Sequence, residues 1–203
     1  MNKMTVFIFS IVTFFVIIVG LKLFSIISSV VASDIETPKY EVLKKYPKFE
    51  LRKYEPMLLV TTDLGVASYD EKSGQGFRTI ASYIFGNNKT NEKIAMTAPV
   101  IYHMDSTASF SFVAPSSNAK GRMPEPIDSA IKFEKQEIKL FAVLTFGGFI
   151  NDKKMDKRMN ELKQAVLKEG LQIKGNGYFF GYNPPWQLIG RKNEVAFELE
   201  SVN

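Results

Sequence analysis

The chain of 203 residues carries 26 Lys+Arg against 21 Asp+Glu, one histidine, one tryptophan and no cysteine. The absence of cysteine excludes a disulfide framework, a thiolate metal site and a cysteine nucleophile. From Asp34 onward the net charge is +3 (24 basic and 21 acidic residues, Lys3 and Lys22 being the only charges before it), with both signs interleaved, so the basic block expected of a nucleic-acid binder is missing.

The first segment stands apart. Met4 to Leu21 contains no charged residue, and the apolar run resumes from Leu23 to Ala32. Eighteen helical residues span roughly 27 Å, close to the hydrocarbon thickness of a bilayer. An N-terminal hydrophobic helix is therefore expected over residues 1–33, as a membrane anchor. Ser29-Val-Val-Ala-Ser33 also offers small residues at which a signal segment is cut. Lys3 and the amino terminus favour an inside start, against Lys22 and Lys39. The expectation is a domain over residues 34–203 held outside the cytoplasm at a membrane, or exported if the segment is cleaved.

Along that domain, Tyr40–Tyr46 and Phe49–Tyr54 read as short strands around Pro47, and Met57–Leu64 as a more buried strand. Ser73-Gly-Gln-Gly76 reads as a glycine-rich approach to a helix, because Phe77, Ile80, Ala81 and Ile84 fall at i, i+3, i+4 and i+7, with Gly86 as its stop. Ile94–Met104, broken at Pro99, and Ala108–Ala114 are the next strands. After the polar link 115–126 the order recurs: strands at Ile131–Lys135 and Ile138–Phe146, then a helix. That helix opens at Asn151/Asp152, is striped by Met155, Met159, Leu162 and Val166, and ends at Gly170. Tyr178–Gly181 and Glu194–Leu199 close the chain. In the latter, Val195, Phe197 and Leu199 alternate with Glu194, Ala196 and Glu198. Apart from the leading strand Tyr40–Tyr46, each half reads strand, strand, helix, strand, strand, which predicts an α+β fold of two pseudo-twofold-related repeats, each a four-stranded antiparallel sheet with one helix.

Three stretches resemble the SOUL haem-binding protein family: Lys93-Ile-Ala-Met-Thr-Ala-Pro-Val100, Phe146-Gly-Gly-Phe149, and Gly181-Tyr-Asn-Pro-Pro-Trp186 followed by Gly190-Arg-Lys-Asn-Glu-Val195. The likeness runs from about residue 38 to the end, in order and with matching spacing. It implies a distorted barrel of two repeats and the non-covalent binding of haem or a related tetrapyrrole, not needed for folding. The resemblance further implies an apolar groove beside the first helix, here at Phe77, Ile80, Ala81 and Ile84, without that branch's methionines. In another branch a histidine proposed as axial ligand precedes the tyrosine matching Tyr54, and here that position is Lys53.

His103, the only histidine, is the imidazole available for haem iron, although a histidine at a strand end is also an ordinary surface residue. Met96 and Met104 offer thioethers. Arg78 on the first helix and Lys157 on the second are candidates to pair with propionates, or simply line solvated helix faces. Ser73-Gly-Gln-Gly76 lacks the lysine and hydroxyl of a P-loop, and no Ser/His/Asp order or metal signature is present. The functional expectation is a monomeric, non-catalytic tetrapyrrole carrier or sequestering module at a membrane. The alternatives are an interaction protein whose groove takes a peptide or another apolar ligand, and an enzyme on a small apolar substrate.

Overall fold

The structure is a computed structural model that describes residue 19 and residues 35–66, 68–119, 123–184 and 186–200. The helix expected over residues 1–33 lies outside the described residues, Val19 apart. Among the described residues no helix is long and apolar enough to cross a membrane. The sheet and its helices belong to a compact unit that begins at Glu36.

Its elements are β1 (Tyr40–Lys45), β2 (Glu50–Tyr54), β3 (Met57–Gly65), α1 (Tyr69–Ile84), β4 (Val100–His103), β5 (Ala108–Val113), one helical turn at Ser116–Ala119, β6 (Ile131–Gln136), β7 (Lys139–Gly147), α2 (Asp152–Lys168), β8 (Ile173–Gly181) and β9 (Lys192–Leu199). The nine strands form one antiparallel sheet in the order β1-β2-β7-β9-β8-β4-β5-β3-β6. One continuous sheet thus carries the strands of both expected four-stranded repeats. β7-β9-β8 and β4-β5-β3 flank the centre as mirror groups, but β2 joins the group of the second half and β6 that of the first.

That exchange bends the sheet. Tyr54 and Met57 are three residues apart, as are Gln136 and Lys139, yet each pair joins strands six places apart in the order. Six strand spacings on a flat sheet come to about 29 Å, whereas three residues reach at most about 11 Å. The sheet has to curl into a half-barrel. Tyr54, Met57, Gln136 and Phe141 accordingly line one small void.

Alternation along each strand then makes two apolar layers. One face carries Leu51, Val60, Tyr102, Phe110, Phe112, Ala142, Leu144, Phe179, Val195 and Phe197, and both helices pack on it. α1 lies on β3 and β5, and α2 on β7, β8 and β9. The other face, without helices, carries Tyr54, Leu59, Ile101, Val113, Phe141, Val143, Tyr178, Phe180 and Ala196.

α1 begins eight residues before Phe77, and Gly74 and Gly76 lie inside it rather than in an approach loop. The start is set by a capping box: the Ser68 hydroxyl accepts from Glu71 N–H, and the Glu71 carboxylate accepts from Ser68 N–H. Gly76 is there because the helix sits close on β5. A Cβ at that position would lie 2.7 Å from the Cβ of Phe110. Both helices stop where expected, with Gly86 and Gly170 in the left-handed region just past their C-caps.

Candidate functional site

At about 100° per residue around a helix, the buried stripe of α1 runs through Gly76, Ile80, Tyr83 and Ile84. Ile80 and Ile84 are only 2% and 3% exposed and belong to the main core, so these two predicted groove residues are spent on holding the helix down. Tyr83 marks the outer flank, because its ring meets Phe133 on the edge strand β6. Phe77 and Ala81, both half-buried, lie on the opposite flank, which faces the middle of the sheet and α2. Tyr69 fills the head of that seam, edge-on to Tyr102 of β4 at 5.3 Å and to Phe179 of β8 at 5.2 Å.

Further along the seam two thioethers converge on Gly177. A Cβ there would meet Met159 at 2.8 Å and Met104 at 3.3 Å. Met159 comes from the buried stripe of α2, and Met104 is half-buried at the end of β4. The two candidate cations stand elsewhere. Arg78 and Lys157 are exposed, each about 170° around its helix from the buried stripe, on the crests rather than in the seam. Lys163, exposed and on the α2 flank next to Met159, borders the seam and was not singled out by sequence.

At the head of the seam the two helices start side by side. The Asp70 N–H donates to Asp152 Oδ1 at 3.2 Å, and the Asp152 N–H donates to Asp70 Oδ2 at 3.1 Å. The turn before α2 supports the β8–β9 loop: Asn193 Nδ2 donates to Gly148 O at 2.6 Å, and the Arg191 guanidinium lies 4.7 Å over the Phe149 ring. Above it, Phe149, Trp186, Leu188 and Ile189 are 54–80% exposed. This apolar patch left no periodic signal in the sequence. Its only trace was a run of large apolar residues between Pro184 and Gly190 with no strand or helix to bury them.

The helix-free face holds the buried charges. Glu194, fully buried, accepts from Arg52 Nη1 at 3.1 Å, Thr145 Oγ1 at 3.0 Å and Tyr182 OH at 2.7 Å, with Lys192 Nζ 3.2 Å away. Burial, then the Glu194 carboxylate, pushes the Tyr182 hydroxyl well above its ordinary value, and burial takes Tyr54 up to about 12. His103 lies on this face too, its ring stacked on Tyr178 at 4.1 Å and 4°. Burial holds its pKa below the usual histidine value with help from Lys139, opposed by Asp105, so the imidazole is neutral near pH 7. His103 and Met104, neighbours in sequence, thus point to opposite sides of the sheet. The void beside Tyr178 and Phe180 has room for about 10 Å³, too little for a macrocycle. A larger cleft of about 350 Å³ opens between Glu36–Lys39, Glu55–Leu58, Thr97, Val113, Ala114 and Ser116, away from the seam.

A tetrapyrrole needs a broad apolar seat, cations for its carboxylates and, where iron is present, a soft or imidazole ligand. Half-buried Tyr69, Phe77, Ala81 and Met104 fit the first requirement, Lys163 at the border of the seam the second, and the Met104 thioether the third. The only imidazole is on the wrong face for this seat.

The SOUL heme-binding protein family model matches residues 35–198. The chain is 29% identical over 177 residues to "Heme-binding protein 2" of Homo sapiens, covering 81% of this chain and 86% of that protein. It is 25% identical over 190 residues to "Heme-binding protein 1" of Xenopus laevis, covering 86% and 98%. Among solved structures, the EcmrR C-terminal domain superposes with a TM-score of 0.58 at 12% identity, covering 80% of this chain and 99% of that one. A hydrolase from Listeria innocua superposes at 0.53 and 11%, covering 78% and 94%. At such identities these two matches describe the fold alone.

Proposed function

The chain belongs to the SOUL heme-binding protein family, and from that premise we propose that its domain binds haem or a related tetrapyrrole non-covalently, without catalysis, for carriage or sequestration at a membrane surface. The observation that carries this reading is the seam between the helices, where Tyr69, Phe77, Ala81 and Met104 are half-buried on the helix-covered side of the sheet. Tyr69, Phe77 and Ala81 would hold the macrocycle there, with Ile80 and Ile84, 2% and 3% exposed, as the rigid backing beneath them. Lys163 borders the seat, and Arg78 and Lys157 attract the propionates from the helix crests, an influence that salt screens. Where the ligand is haem, Met104 would offer its thioether to the iron; affinity comes mainly from apolar burial. In the same reading the mirror order of the strands reflects two repeats that exchanged their first strands.

The 350 Å³ cleft falls within the size range of small-ligand sites and favours a second reading, a module for another small apolar ligand. Titration with hemin and with iron-free protoporphyrin separates the two. Binding of both porphyrins, with similar affinity, is expected for a seat without a dominant axial bond. Failure of both removes the tetrapyrrole reading.

A further inference from the structure

Asn176-Gly177 is the only Asn-Gly dipeptide in the chain. The backbone nitrogen that follows this asparagine belongs to a residue without a side chain, so nothing on that residue blocks its approach to the asparagine's own amide carbon. A regular ladder forbids the reaction, because an extended strand paired on both sides cannot turn its backbone to bring the two atoms together.

At Asn176 that protection is missing. The register of β8 on β9 jumps from Lys174 opposite Glu198 to Gly177 opposite Phe197, so Gly175 and Asn176 form a bulge without a paired residue on β9. On the other side, pairing with β4 starts only at Tyr178. Gly175 has φ +70°, the left-handed conformation that glycine supplies in such bulges. Asn176 is exposed. Its Nδ2 donates to Asp105 Oδ1 at 3.0 Å, an oxygen that also accepts from Ser106 N–H at 2.7 Å, so Asn176 fastens the β4–β5 turn to β8. Met104 N–H donates to Gly177 O at 2.9 Å beside it.

We propose that Asn176 is a self-modification site, converted through a succinimide to aspartate and isoaspartate, and that the conversion releases the β4–β5 turn from β8. Water is the only other reactant. The Gly177 nitrogen gives its proton to hydroxide and attacks Asn176 Cγ. The Cγ–Nδ2 bond breaks, and the amide leaves as ammonia with a proton from water. Water then opens the five-membered ring. Cleavage at the Cγ–N bond leaves aspartate; cleavage at the backbone carbonyl leaves isoaspartate, whose main chain is one carbon longer. Either product sets a carboxylate against Asp105 where an amide donor had been, and like charges replace a hydrogen bond. This takes place beside His103 and Met104. The site does not rest on the tetrapyrrole reading, and a chain that binds no porphyrin leaves it standing.

The experiment ages the full-length chain in mildly alkaline buffer, folded and in urea, and maps its peptides by mass spectrometry with enzymatic methylation of isoaspartate. In the folded chain Asn176 is expected to convert ahead of every other asparagine. Its rate should lie within about tenfold of that in urea, as for a site that opens without global unfolding. Isoaspartate should be the larger product, and Asn176→Gln should abolish it. An Asn176 that stays intact in the folded chain while it converts in urea overturns the proposal, as does conversion without isoaspartate. Release of the turn is read by urea unfolding of two variants. Asn176→Asp should unfold at a lower urea concentration than Asn176→Ala, because alanine only loses the bond whereas aspartate adds repulsion. Equal midpoints overturn the release.

Discussion

Asp70 and Asp152 cap each other's helix: each carboxylate accepts the backbone N–H of the other, at 3.2 and 3.1 Å. Each also places negative charge at the positive end of two helices. The pair fixes α1 against α2 at the head of the seam, where Tyr69 packs across β4 and β8. Asp70→Ala and Asp152→Ala are each expected to lower stability by about 0.5–2 kcal/mol, the range for losing a cap. Because the contact is reciprocal, the double variant should lose less than the sum of the two, as urea unfolding of all four proteins will show.

The Arg52–Glu194 pair makes a sharper prediction, since its side chains are 4% and 0% exposed. Arg52→Ala strands a buried carboxylate and is expected to cost about 3–5 kcal/mol. Arg52→Met combined with Glu194→Leu removes both charges, though Tyr182 and Thr145 then lose an acceptor. Most of the loss should be recovered in that double variant, measured by equilibrium denaturation.

Acid should weaken the fold in two steps. The folded protein holds His103 below the ordinary value of 6.5, so the unfolded chain binds the proton first, and stability falls as pH drops from about 6.5 to the folded value. Glu50 and Glu198 are held below their ordinary value of 4.5. Burial works against their charge, but Arg52 and Lys45 in one case, and Lys139 and Lys174 in the other, outweigh it. Their stabilisation is present above 4.5 and is lost as pH falls through their folded values. Thermal unfolding between pH 7.5 and 3 should show both steps, and His103→Gln should erase only the first.

Ile84 and Ala81 are three residues apart on one helix but belong to different parts of the molecule. Ile84→Ala is expected to cost about 2–5 kcal/mol of folding stability through the cavity it leaves, with porphyrin affinity changed little in the protein that remains folded. Ala81→Glu, on the half-buried flank, should leave stability within about 1 kcal/mol and weaken porphyrin binding. Paired unfolding and titration curves check this division.

Periodicity made much of the fold legible. The element order, both helix stripes, the start of α2 at Asn151 and both glycine stops arise from local chemistry that the sequence displays. The exchange of β2 and β6 was not legible, because it rests on which strands meet after Tyr54–Met57 and Gln136–Lys139 turn back, a choice made by long-range packing. The start of α1 was misread because Gly74 and Gly76 look like loop residues, although Ser68 and Glu71 already spelled a capping box. Gly76 marks close packing on Phe110, a distance no single sequence displays. At the site, an apolar stripe was legible, but which of its members face the core and which face the seam depends on where the neighbouring elements lie. That is how Ile80 and Ile84 became backing while Phe77 and Ala81 stayed half-buried. Strand alternation alone places His103 and Met104 on opposite faces; it does not reveal that the helices cover only one of them.

Where the porphyrin sits separates the seam from every other site on the sheet. Hemin titration of wild type, His103→Ala and Ala81→Glu, monitored at the Soret band, decides it. The seam predicts that His103→Ala binds hemin within about twofold of wild type, the roughly 0.5 kcal/mol scale of a surface substitution. Ala81→Glu should lose about tenfold or more, because a carboxylate enters the apolar seat. If His103→Ala abolishes the Soret shift while Ala81→Glu binds like wild type, hemin is held on the helix-free face and the seam is not its site.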